Sequence, residues 1–63
     1  MPALNLTRNL SDPDGLYEAL IRLHEGRSEE ESLRISARLI LILMNHVGDR
    51  KVVDAALAAA RKD

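Results

Sequence analysis

Two histidines, a run of three glutamates, a few serines and one tyrosine are the side chains here with chemistry to offer. An imidazole binds metals and titrates near neutral pH, so His24 and His46 come first. Two ligands are too few for a structural zinc site, and the chain has no cysteine to add to them. Both lie toward the C-terminal ends of successive apolar-periodic segments. An imidazole there meets unpaired carbonyls and the negative end of the helix dipole. Antiparallel helices would carry the two to opposite ends of a hairpin, out of reach of one ion. Glu29-Glu30-Glu31 occupies a first helical turn, where acids favour the positive dipole end, and Arg34 lies at ion-pairing distance from Glu30 and Glu31. Ser28 precedes that turn as a cap, and no serine has a base and an orienting acid at a readable spacing. Tyr17 sits at the edge of an apolar stripe, as core or as an interface anchor. No catalytic, cofactor-binding or metal-ligating residue is assigned, and the chain is expected not to be an enzyme.

The elements that place these residues read clearly. Asp12-Pro13-Asp14 is a helix start: a capping residue, a proline at the first helical position, and an acid in the first turn. Leu16, Leu20 and Leu23 then line one side, widened by Tyr17, Ile21 and His24, so a first helix is predicted over about 13–25, stopped by Gly26. Ser28 and Glu31 form a capping box that opens a second helix over 28–47, ending at Gly48. Asp49 caps a third over 50–61, with Val52, Val53, Ala56, Leu57 and Ala60 along one face. Residues 1–11 read as an extended arm whose alternating Leu4 and Leu6 point the same way. The expectation is one all-α domain over residues 1–63, a helical hairpin plus a short third helix in a three-helix mini-bundle. Short loops make consecutive helices antiparallel neighbours.

The middle helix carries more apolar surface than one neighbour can cover. Leu33, Ala37, Ile40, Met44 and Val47 form its main face. Ile35, Leu39, Ile42 and His46 form a second face, with Leu43 between the two and Arg34, Arg38 and Asn45 as a polar seam. In one arrangement helix 1 takes the main face while helix 3 and the arm take the second. In the other, the alanine-rich helix 3 covers too little, and part of the second face is left for a partner. The second is the functional expectation, with Tyr17, Ile35, Arg38, Leu39, Ile42, Asn45 and His46 as partner-binding residues.

Composition points the same way. Sixty-three residues without cysteine have neither disulfide nor metal to staple a small core, so association is the remaining common route to stability. A net charge of −1 with interleaved signs gives no basic field for nucleic acid or an anionic membrane. Helix 3 has almost no side chain able to read a base edge. No basic region followed by an apolar run opens the chain, and the longest apolar run falls far short of a membrane span, so a cytoplasmic protein is expected.

Leu4-Asn5-Leu6, Asp12-Pro13-Asp14, Tyr17-Glu18-Ala19-Leu20, Glu30-Glu31-Ser32, Ala37-Arg38-Leu39 and Asn45-His46-Val47-Gly48-Asp49 together resemble a small bacterial family, domain of unknown function 2783. The likeness covers nearly the whole chain, with Leu16 where a bulkier aromatic residue is expected. The family has no established active site to carry over. The resemblance implies a small companion subunit of a flavin-dependent aromatic-ring hydroxylase. The residues themselves imply a non-catalytic accessory subunit that binds a larger protein, or alternatively a self-associating homodimeric helical bundle.

Overall fold

The computed structural model describes residues 4–62, so residues 1–3 of the expected arm and residue 63 lie outside it. The described chain is all-α: α1 (Pro13–Leu23), α2 (Glu29–Val47) and α3 (Arg50–Arg61), with no strand among the described residues.

Each helix is opened by the capping residue the sequence predicts. At α1, Asp12 Oδ1 accepts from the Gly15 N–H at 3.2 Å and Pro13 follows at the first helical position. Asp12 itself adopts a left-handed conformation, φ 49°, which aspartate tolerates better than most side chains. A β-carbon on Gly15 would overlap the Asp12 carboxylate, so the glycine makes room for the cap. At α2, the Glu31 N–H donates to Ser28 Oγ at 3.1 Å and the Ser28 N–H donates to Glu31 Oε1 at 2.9 Å, closing the capping box. At α3, Asp49 Oδ1 accepts from the Lys51 and Val52 N–H groups at 2.9 and 3.3 Å. The adverse placement of Arg50 near a positive dipole end is offset by its pairing with Asp54.

The capping box gives a test of α2. The Ser28 N–H, followed by the Ser28 hydroxyl and then the charge of Arg27, holds the Glu31 carboxyl below its ordinary pKa. Its contribution to the folded state is therefore complete above the unfolded value, about 4.3, and is lost as pH falls through the lower folded value. Ser28→Ala is expected to cost about 1 kcal/mol through the lost cap. It should also return the Glu31 titration, followed by carboxyl NMR, toward the ordinary glutamate value. A titration unchanged in the variant would mean that the Ser28 hydroxyl is no part of what holds the Glu31 carboxyl down.

α1 stops at Leu23, two residues short of the predicted end. The His24 N–H donates to the Ile21 carbonyl and the Glu25 N–H to that of Arg22, both at 3.1 Å, so the last turn tightens to i→i−3 bonding. The chain then reverses through Gly26, in the left-handed region at φ 72°. α2 ends as predicted, with Gly48 at φ 73° and its N–H on the Met44 carbonyl.

The arm departs from the extended reading. Asn5 Oδ1 accepts from the Thr7 N–H and hydroxyl at 3.0 and 2.6 Å, a local turn that ends any strand-like alternation. Leu4 is half-buried against α2 and α3, whereas Leu6 is 79% exposed. The two leucines do not act together.

How the helices share α2 is also the reverse of the expected arrangement. α3 and Leu4 lie against the main face, at Ile40, Met44 and Val47. α1 reaches the second face instead, with Leu23 beside Ile35, Leu39 and Ile42. The turns decide this: the tight His24–Arg27 reversal returns the chain on the Leu39 side, and the Gly48-Asp49 reversal lays α3 along the last turns of the main face. Leu33, expected under helix 1, is left 69% exposed.

The three helices form an open bundle. None of the described residues is buried, and α2 and α3 are the one pair of helices that approach closely. A globular monomer of this mass exposes about 4,000 Å² and has a radius of gyration of about 11 Å. This chain exposes 5910 Å² and has a radius of 13.5 Å, with extents of 42 × 26 × 25 Å.

Candidate protein-interaction site

Two apolar concavities lie on opposite sides of α2. The first, about 360 Å³, is lined by Leu23 of α1, Arg27 of the turn, and Ile35, Arg38, Leu39 and Ile42 of α2. Ile35 and Leu39 are half-buried at its floor, while Ile42 is 64% exposed at its edge. The floor is shaped by α1, whose Leu23 is the least exposed of that helix's leucines.

Two guanidinium groups rim this concavity. Among the described residues, the ion pairs are Arg22–Glu18, Arg34–Glu30 and Arg50–Asp54, each between residues one helical turn apart. Arg27 and Arg38 are in none of them. Arg27 lies near enough to Glu31 to help lower its pKa, and Arg38 stands on the polar seam of α2. An apolar floor with cationic edges suits an amphipathic segment that carries carboxylates beside its apolar anchors.

Four of the seven sequence-predicted residues are therefore brought together: Ile35, Arg38, Leu39 and Ile42. Tyr17, 67% exposed on α1, lines neither concavity, and nor do the exposed Asn45 and His46 near the end of α2. Arg27 was not singled out for this site because it stands in a turn, outside any helical periodicity. His24 is the C-cap of α1, half-buried, its backbone N–H on the Ile21 carbonyl. Among the described residues no three His, Asp or Glu side chains are grouped to hold a metal ion.

The second concavity, about 330 Å³, is walled only by apolar side chains, from the C-terminal half of α2, the stripe of α3, and Leu4. The α3 stripe was visible in the sequence as Val52, Val53, Ala56, Leu57 and Ala60. Its location was not, because periodicity shows which face is apolar and not which neighbour it meets. Among the described residues no helix is long and apolar enough to cross a membrane.

No curated protein and no solved structure matches the chain. A family model does, over residues 4–62, which takes in the arm from Leu4, all three helices and both concavities. The chain belongs to the family described as Protein of unknown function (DUF2783).

Proposed function

We propose that this protein is a non-catalytic interaction subunit, whose open bundle is closed by another polypeptide. The observation that carries the reading is the surplus of exposed surface, roughly 1,900 Å² beyond a globular monomer of its mass. Much of it comes from large aliphatic side chains on all three helices, among them Leu16, Leu33, Ile42 and Leu57, which are 48–69% exposed. Leaving such side chains in water forfeits about 1.5–3 kcal/mol for each that could have been fully buried. A domain of this size has only a few kcal/mol in hand. Association recovers that loss.

The Arg27- and Arg38-rimmed concavity supports a more specific form of the reading, in which a larger protein inserts an acidic, apolar segment beside Leu39 and Ile42. The companion-subunit role that the family resemblance implies is of this kind.

Small-angle scattering tests the general reading, at a dilution where the measured mass is that of one chain. The expected radius of gyration is near the 13.5 Å of the open bundle. A monomer near the about 11 Å of a closed domain overturns the reading, because the helices would then satisfy one another.

A further inference from the structure

The concavity between α1 and α2 differs from the wholly apolar α2–α3 groove in carrying charge at its edge. Leu23, Ile35, Leu39 and Ile42 line it, and Arg27 and Arg38 rim it, outside every ion pair among the described residues. Resting on the interaction reading above, we infer that this concavity takes one amphipathic helix of an unlike protein, with carboxylates about two to three turns apart beside its apolar stripe.

The occupant must bring its own backbone hydrogen bonds. Ile35, Arg38, Leu39 and Ile42 lie inside α2, where N–H and carbonyl groups are bonded along the helix. The Arg27 N–H is held by the His24 carbonyl at 3.2 Å. No strand edge is present among the described residues to pair with an extended segment. A helix satisfies its backbone internally and needs only side-chain anchors. Ile35, Leu39 and Ile42, at i, i+4 and i+7, form a ridge on which such a helix packs. The one tyrosine, Tyr17, is the only aromatic side chain and lies outside the concavity, so a nucleobase has no ring to stack on.

The two cations set the charge of the occupant and its spacing. Arg27 precedes the Ser28 cap of α2, and Arg38 lies ten residues beyond that cap, about 15 Å along the axis. Flexible arginine side chains shorten the gap at their tips, which gives about two to three turns between the facing carboxylates. A guanidinium donates two parallel bonds to a carboxylate, so acids are preferred over neutral groups there.

The carboxylates of a second copy are already committed. Glu18, Glu30 and Asp54 pair with arginines one turn away, and Glu31 closes the capping box. Outside those contacts α1 has only Asp14, α2 only Glu29, and α3 no acid at all. No helix of this chain offers two free acids beside an apolar stripe, so an unlike protein is the match at this concavity.

Two synthetic helical peptides test the inference on the full chain. One carries leucines at i, i+4 and i+7 with glutamates flanking the stripe, and the other has lysines in place of the glutamates. The glutamate peptide is expected to bind about tenfold more tightly at low salt, an advantage that shrinks as salt is added. In methyl NMR it should move Ile35, Leu39 and Ile42 and leave Val53 and Leu57 in place. Arg27→Glu combined with Arg38→Glu should reverse the preference. Both arginines are exposed, so the variant should keep its helicity by circular dichroism. If it does not, the salt dependence of the two peptides on the unaltered protein decides alone.

Equal affinity for the two peptides, binding of neither, or shifts centred on Val53 and Leu57 overturns the inference. Shifts at Ile35 and Leu39 that grow with the protein's own concentration would put a second copy in the concavity, and overturn the unlike partner. In each case a monomer radius near 13.5 Å leaves the interaction reading standing, and one near the about 11 Å of a closed domain overturns both.

Discussion

The thermal midpoint of this chain is expected to rise by on the order of 10 °C for each hundredfold increase in its own concentration. Binding to the folded state alone stabilises it by mass action, and a second copy is such a ligand if it is the polypeptide that closes the bundle. A domain this size absorbs about 0.7 kcal/mol per residue on unfolding near 60 °C, which for two coupled chains gives a shift of that order. The sign is upward with concentration, since dilution favours separated chains. Calorimetry or circular dichroism from micromolar to near-millimolar protein reads the effect directly. A midpoint constant over that range would mean that no second copy closes the bundle, leaving an unlike protein as its occupant.

The second large effect is at Leu39. Its half-buried side chain faces Leu23 at the floor of the Arg27–Arg38 concavity, and its removal forfeits about 1 kcal/mol of apolar burial. What replaces it decides the rest. Leu39→Glu puts a carboxylate between two guanidinium groups that close no other ion pair among the described residues, so its charge is partly compensated. Leu39→Lys puts a third cation there. The lysine variant is expected to be the less stable by about 1 kcal/mol, a gap that narrows as salt screens the site. Urea denaturation of both variants at low and high ionic strength measures it. Equal stability at low salt would place the two arginines too far from Leu39 to matter.

What the sequence made legible is what acts within a few residues. The capping box of Ser28 and Glu31, the cap at Asp49 and the left-handed stop at Gly48 are local events, fixed by neighbours in the chain. The end of α1 was two residues off because a switch from i→i−4 to i→i−3 bonding leaves no mark on apolar spacing. Leu4 and Leu6 alternate as in a strand, yet Asn5 folds its side chain back on Thr7 and parts them. The apolar faces of α2 were readable from periodicity. Their allocation was not: which face meets α1 and which meets α3 depends on how two short reversals aim the chain. The same turns carried Arg27 to the rim and left Tyr17 outside both concavities.

Every side-chain hydrogen bond and ion pair among the described residues joins positions no more than four apart. Nothing polar ties one helix to another. The kinetic consequence is a division between fast and slow events. Local helices form within about a microsecond, close to the speed limit for a chain of this length. On the proposed interaction reading, encounter with a partner at about 10 μM, with ordinary association constants, takes from about 10 milliseconds to a second. Between those times the chain is helical with its leucines in water, a species open to aggregation. Synthesis close beside such a partner would shorten that interval, and dilution would lengthen it.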